Sequence, residues 1–402
     1  MGTRKAIVVG AGIGGLTTAA ALRKIGVDVE IYEAADQRRN SGTGLGIASN
    51  ATSVLDALGI DIRLRGQEVR KFELLTTTGN LMRELPIPEI ATELGAPVVS
   101  IHRSELADAL HDAVGDTPIH YGAQATGYTI DGDRVTVRFG DERAAEADLL
   151  IGADGIRSVV RAQLQGAAPV TEYGYVCWLA TIPFTHPGLA TGYARHYWGS
   201  GRRFGLIDIG GGNAYWWGTA NMPAHQARDW QGGKDDILAA YAGWAPEVVQ
   251  AIEQTDEAAI VAVPAQDRPF SSTWGEGPVT LVGDAAHPML TSLSQGAGSS
   301  IEDGYVLAHH LATADDHIAA LRNYEQARIP RTRGLVEGSR RLSKSEQLEN
   351  PIARGVRDWF LRYAPAGVVK KINAEPMRFT VPTLAVTEPR GKYEDAGEKT
   401  TG

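Results

Sequence analysis

Asp284 follows the apolar run Val279-Thr-Leu-Val-Gly283, and Gln295-Gly-Ala-Gly298 comes shortly after it. A carboxylate at the carboxyl end of a strand accepts hydrogen bonds. A glycine-lined helix start offers backbone N–H donors and a partial positive charge. Together they can hold a polar, partly anionic ligand. Gly10-Ala-Gly12-Ile-Gly14-Gly15 offers a second such place, with Glu33 about twenty residues further on. Gly10 permits a tight turn, Gly12 lets a pyrophosphate approach the backbone, and Gly15 lets a helix and a strand pack closely. A carboxylate at Glu33 accepts from the hydroxyls of a ribose.

These residues need elements to hold them. Residues 5–9 are an apolar strand, Leu16 to Ile25 a helix closed by Gly26, and 27–33 a second strand. The spacing is that of a dinucleotide-binding βαβ unit, and NAD(P) and FAD both fit it. Residues 279–282 are expected as a buried strand and 299–311 as the helix after it. The second glycine-rich stretch, Ser41 to Asn50 with Gly46 inside it, lies too far from the first to serve the same phosphates. Ile101 ends a strand, and an amphipathic helix follows with Arg103 near its start. A cation there opposes the helix dipole, so a ligand contact gives it a reason, and a solvated surface arginine is the alternative. An alternating strand is expected at 134–139. Residues 148–161 repeat the strand–turn–helix logic, with Asp154 and Gly155 in the turn and Arg157 and Arg161 on one helical face. Asp154 can cap that helix and pair with Arg157, or contact a cofactor.

Residues 170–267 differ in character and hold most of the tryptophan and tyrosine. Residues 202–209 and 214–221 read as a hairpin, with Tyr215, Trp217 and Thr219 on one face and Trp216 and Ala220 on the other. Residues 234–253 read as helical. Beyond the Asp284 region, 318–348 is a long basic helical stretch with Pro330 as a break, and 352–363 is another helix. The fold class is therefore α/β: a Rossmann-like nucleotide domain (1–70, 98–169 and 268–345), an inserted mixed β-sheet substrate domain (71–97 and 170–267), and C-terminal helices (346–385). The polar tail from 386 is expected to be disordered.

Bulk properties exclude several classes. A hydrophobic content of 43% and a charged content of 22% belong to a globular protein. The net charge of −9, without a basic block, argues against nucleic acid and weakly against anionic membranes as partners. No apolar run approaches the roughly 20 residues of a membrane span. Cys177 is the only cysteine, which points to a reducing cytoplasm and rules out a disulfide framework. His287 has no histidine or cysteine at ligand spacing, so no metal is expected.

Three motifs in this order resemble the single-component FAD-dependent monooxygenases that hydroxylate aromatic and heterocyclic rings: Gly10-x-Gly12-x-x-Gly15 with Glu33, Asp154-Gly155, and Gly283-Asp284 before Ala-Ala-His-Pro. The resemblance implies FAD as cofactor and NAD(P)H and O2 as co-substrates, in a monomer or homodimer. It implies oxygen transfer through a flavin C4a-hydroperoxide to a small cyclic organic substrate. The FAD contacts it implies fall on Gly10, Gly12, Ile13, Gly14, Gly15, Glu33, Ala34, Gly46 and Arg103, then on Ala125 and Asp154. Asp284 and the run Ser294, Gln295, Gly296, Ala297 and Gly298 complete them. Glu33 would meet the adenosine ribose, Arg103 the ribityl–isoalloxazine region, and Asp284 a ribityl hydroxyl.

Arg203 and Tyr215 are also similar to a substrate-contacting pair in bacterial FAD-dependent urate hydroxylases. The likeness implies that Tyr215 hydrogen-bonds or helps deprotonate a substrate and that Arg203 holds an anion. Sheet packing is the alternative for both. The chain departs from many relatives at Thr291 and Ser292, where proline is common, at Ser294, where glycine is, and at Leu179, where arginine is. Substrate identity is therefore not carried over. A reductase or dehydrogenase of the same fold, and a flavin-binding protein without turnover, are the other readings.

Overall fold

The computed structural model describes residues 4–38 and 42–384. Ser41 and the tail from 386 lie outside the described residues.

The strand Lys5–Val9 lies at the centre of a five-stranded sheet, flanked by Leu149–Gly152 and Asp28–Tyr32. Val279–Leu281 adds to one side and Ile119–His120 to the other, and every pairing is parallel. Val9 is in register with both Gly152 and Tyr32, and Gly152 with Leu281. Four strand ends therefore stop side by side. The turns at Gly10, Ala153–Asp154 and Gly283–Asp284, together with Glu33, open on one edge, where parallel sheets bind ligands. The central strands are apolar throughout because both faces are covered. The helices Ile13–Lys24 and Gly296–Thr313 pack on one face, and an antiparallel sheet containing Arg134–Phe139 lies against the other.

Small residues bring those two helices close. A Cβ on Gly304 would sit 2.7 Å from the Thr18 nitrogen, and one on Gly14 would sit 3.2 Å from Ser300 Cβ. The close crossing brings both helix N-termini to the same edge of the sheet.

A seven-stranded sheet forms the other half. Its order is Val261–Asp267, Thr171–Pro183, Asn213–Asn221, Arg202–Gly210, Tyr193–Trp198, Lys71–Thr76 and Leu81–Leu85. It is mixed, because Tyr193–Trp198 pairs in parallel with Lys71–Thr76. Trp178, Phe204 and Trp216 lie on one face, packed with Tyr241 and Val248 from the covering helices. Tyr215 and Trp217 lie on the other, against Gly44 and neighbouring residues. The period-2 reading of the hairpin thus matches the structure.

Several local expectations change. The helix expected at 299–311 begins at Gly296. Residues 234–253 are two helices, Lys234–Ala240 and Pro246–Gln254, because Gly243 takes φ +77° and Pro246 starts a new first turn. Pro330 does not break the long helix, which runs from His317 to Glu346. Proline removes only one backbone bond, and Arg328 and Arg331 on either side are tied to Glu302. Arg157 lies outside the helix Val159–Gln165 and shares no helical face with Arg161.

Candidate active site

The glycine loop has two kinds of glycine. Gly10 takes φ +109°, and a Cβ on it would run into the Ala153 carbonyl. A Cβ on Gly15 would collide with the Gly10 carbonyl. Both are required for packing. A Cβ on Gly12 would meet nothing within 4 Å, so this position faces open space. The helix that starts at Ile13 has no side-chain cap. Its first N–H groups are open to an anion, beside Ile13 and Gly14.

Glu33 stands at the mouth of this loop. Its carboxylate accepts from the Ala11 N–H at 2.8 Å and from the Ala35 N–H at 2.9 Å, with Ala34 exposed beside it. The Ala123 N–H donates to the Glu33 carbonyl at 2.8 Å, which ties the approach to Ala125 to the same corner. Ser158, not Asp154, is the cap of the helix Val159–Gln165, accepting from the Arg161 N–H at 2.9 Å, and Asp154 accepts from the Val159 N–H at 2.7 Å. It forms no ion pair with Arg157 among the described residues. Its other oxygen is buried with no partner among them, and burial pushes the carboxyl up.

The other end of the edge gathers Asp284, Arg103 and the helix start at Gly296. The Asp284 side chain is solvent-accessible although protein surrounds it, so it lines a cleft. Desolvation raises its carboxyl, while His287 and Arg103 oppose the rise. The Arg103 side chain is exposed, and the Arg103 backbone N–H donates to the Thr43 carbonyl at 2.9 Å. Arg103 begins its helix, and His102 provides the cap. Gly46 lies on the neighbouring strand with nothing within 4 Å of a Cβ placed on it. The helix Gly296–Thr313 has Gln295 at its start and no side-chain cap, so Gly296 and Ala297 present free N–H groups. Gly298 packs near Asn50. Ser294 takes φ +52°, a left-handed conformation that costs a serine roughly 1 kcal/mol.

A buried ionic network holds this loop from beneath. Asp303 accepts from the Gly283 N–H at 2.8 Å, pairs with His287 at 2.5 Å, and accepts from Arg328 Nε at 2.7 Å. Arg328 also pairs with Glu302 at 2.6 Å. Asn50 donates to both Glu302 and Gln295. Burial raises the Asp303 carboxyl, but His287, Arg328 and the Gly283 N–H overcome it and hold it at about 2. Arg161 adds a second brace, donating to the carbonyls of Ala285 and Ala286. The sequence points to His287, Arg161 and Gln295 in other roles, and gives no role to Glu302, Asp303 or Arg328. The adjacent acids Glu302 and Asp303, inside an otherwise apolar helix, were the available signal.

The seven-stranded sheet reaches the strand before Arg103: Tyr215 packs on Gly44, which is paired with His102. In its hairpin Arg203 is opposite Thr219, Gly205 opposite Trp217, and Ile207 opposite Tyr215. Trp217 thus lies between Arg203 and Tyr215 on one face. The Arg203 guanidinium sits 4.5 Å from the Trp217 ring centroid and donates to Glu346 at 2.5 Å. Arg203 is 3% exposed, so it is neither a snorkelling surface residue nor a free cation. Burial raises the Tyr215 phenol well above its usual value, Cys177 adds to this, and Arg203 and Arg103 oppose it. Arg103 lowers the carboxyl of Asp284 and the phenol of Tyr215 alike.

The residues present fit an extended dinucleotide. Gly12 leaves room for a pyrophosphate, two helix starts are open to anionic groups, and Asp154 has an unfilled acceptor. Comparison with known proteins agrees. The FAD binding domain family model matches residues 3–339. Aurachin C monooxygenase/isomerase of Stigmatella aurantiaca is 35% identical, over 93% of this chain and 98% of its own. The FAD-dependent urate hydroxylase of Klebsiella pneumoniae is 32% identical, over 84% of this chain and 89% of its own. The crystal structure of Klebsiella pneumoniae HpxO with FAD and uric acid superposes with a TM-score of 0.86 at 28% identity, covering 93% of this chain and 96% of that one. A match along most of its length, in sequence and in fold, makes this chain a member of the single-component FAD-dependent monooxygenase family and an FAD-binding enzyme of that type.

Proposed function

We propose that the protein is an NAD(P)H-dependent monooxygenase that oxygenates a small, uncharged aromatic or heterocyclic compound. Bound FAD supplies the redox chemistry, taking electrons from NAD(P)H and activating dioxygen for transfer of one oxygen atom. The observation that carries the reading is the packing of Tyr215 on Gly44, whose strand partner His102 directly precedes Arg103. It sets an aromatic wall against the place where the strand-end carboxylate and the open helix start meet.

In this reading Gly12, Ile13, Gly14 and Gly15 present N–H groups to the pyrophosphate, and Glu33 holds the adenosine ribose. Gly10 shapes the turn. Ala34, Ala125 and Asp154 line the adenosine side, and Gly46 and Arg103 the ring side. Asp284 accepts from the ribityl chain. Gln295 to Gly298 would offer N–H groups to negative charge on the flavin, and Ser294 shapes the turn before them. The raised Tyr215 phenol stays protonated, so it serves as a hydrogen-bond donor to substrate and not as a base. Arg203 is already neutralised by Glu346, which favours an uncharged ring over an anion. Trp217 and Tyr215 offer flat apolar surface for such a ring. The free, buried Cys177 accords with a reducing, cytoplasmic setting.

The test is NADH and NADPH oxidation by the purified yellow protein, followed together with oxygen uptake and challenged with a library of ring compounds. A ring that stimulates both in equal amounts supports the reading. Equal NAD(P)H oxidation under nitrogen, with a reduced organic product, contradicts it.

A further inference from the structure

The helix Pro351–Tyr363 is inverted relative to an ordinary surface helix. Its apolar residues Ile352, Val356, Trp359, Phe360 and Tyr363 fall on one stripe at helical spacing, and that stripe faces outward. They are 78, 63, 63, 43 and 67% exposed in that order. The side that faces the protein carries Leu361 and a buried Arg357, which donates to the Ser345 carbonyl at 3.1 Å and lies 5.1 Å from the Trp198 ring centroid. The next helix, Ala366–Ala374, adds exposed Val368 and Ile372. Scattered apolar side chains are ordinary on a surface, but a continuous stripe marks a contact.

The charge around the stripe identifies what it contacts. Residues 350–373 contain Arg354, Arg357, Arg362, Lys370 and Lys371 against Asp358, and Glu89 and Glu93 join the face through Lys370, a local balance of five cations to three anions. The chain as a whole carries −9. Lys370 is held by Glu89 and Glu93, and Arg357 by Asp358. Arg362 and Lys371 are exposed and form no ion pair among the described residues. A second copy of this chain would bring a like-charged rim against this one, which disfavours self-association through the face.

We propose that these two helices form a docking face for the surface of an anionic lipid bilayer. Trp, Tyr and Phe sit at the headgroup level, where an aromatic ring can be half-buried, while the cations meet lipid phosphates. The face lies in the membrane surface and does not cross it, since no helix among the described residues is long and apolar enough to span. The helix Pro351–Tyr363 packs against the strand Leu81–Leu85 of the seven-stranded sheet. A docked bilayer would therefore lie beside the sheet that carries Tyr215. Whole-chain charge, which argues weakly against anionic membranes, averages this basic island away. Docking does not depend on the reaction assigned to the site.

The experiment is flotation of the full chain with FAD bound, using vesicles of phosphatidylcholine alone or with one third phosphatidylglycerol. The protein is expected to float with the anionic vesicles and to be released by salt. Trp359→Glu with Phe360→Glu should abolish flotation. Arg362→Gln with Lys371→Gln should weaken it about thirtyfold, from the usual contribution of two surface cations. Both variants should keep FAD and the same NAD(P)H oxidation in vesicle-free solution, which shows that they fold. The proposal is overturned if the wild type stays unbound at low salt, or if the neutral vesicles bind equally well. It is also overturned if light scattering shows a dimer, without vesicle binding, that Trp359→Glu with Phe360→Glu converts to monomer.

Discussion

The Arg203 guanidinium donates to the Glu346 carboxylate at 2.5 Å, joining the hairpin of the seven-stranded sheet to the last residue of the long helix. Both side chains are almost fully buried. Removing one partner strands a charge, so Glu346→Ala should cost about 3–5 kcal/mol. Replacing both, Arg203→Met with Glu346→Met, should restore most of that loss. Urea unfolding of the three proteins checks it, and a double variant no better than Glu346→Ala would show that the pair acts through something other than charge.

The glycine loop separates packing from binding. Gly12→Ala places its methyl in open space and should leave the fold intact while weakening FAD binding. Gly15→Ala drives its methyl into the Gly10 carbonyl and should destabilise the protein itself by roughly 1–3 kcal/mol. Thermal unfolding of the flavin-free proteins, set beside flavin titrations, distinguishes the two effects.

Asp303 makes the loop acid-sensitive. Its folded-state carboxyl is held at about 2, below the ordinary 3.8 of an unfolded aspartate. A lowered pKa stabilises above the unfolded value, and that stability is lost as pH falls from about 4 towards 2. The loss is about 2 kcal/mol. Unfolding free energy measured across this window should fall more steeply for the wild type than for Asp303→Asn, by about that amount.

The βαβ corner was legible because its information is local. Gly10, Gly12, Gly15 and Glu33 lie within one βαβ unit, and a parallel register aligns the strand ends without further instruction. The partner of Arg203 was not legible, because Glu346 lies 143 residues away. Pro330 misled because a single proline is locally unfavourable, and only the buried network around Arg328 reveals why the helix continues. The stripe from Ile352 to Tyr363 has a visible period, but periodicity does not say which side faces inward.

Asp284 and Tyr215 should fail in different ways. Asp284→Ala removes an accessible acceptor and should weaken FAD by roughly tenfold to a hundredfold, read as flavin release on dilution. Tyr215→Phe should leave FAD bound and lower kcat/KM for the ring substrate by about three- to tenfold. Unchanged flavin occupancy in the first would remove Asp284 from the cofactor site, and unchanged turnover in the second would remove Tyr215 from the substrate site.

The most direct test of the central claim is mass spectrometry of the product formed under isotopically labelled dioxygen, from a ring compound that stimulates NAD(P)H oxidation. The account predicts one labelled oxygen atom in the organic product and the second in water. A product carrying no label, with all the oxygen consumed released as hydrogen peroxide, would contradict it.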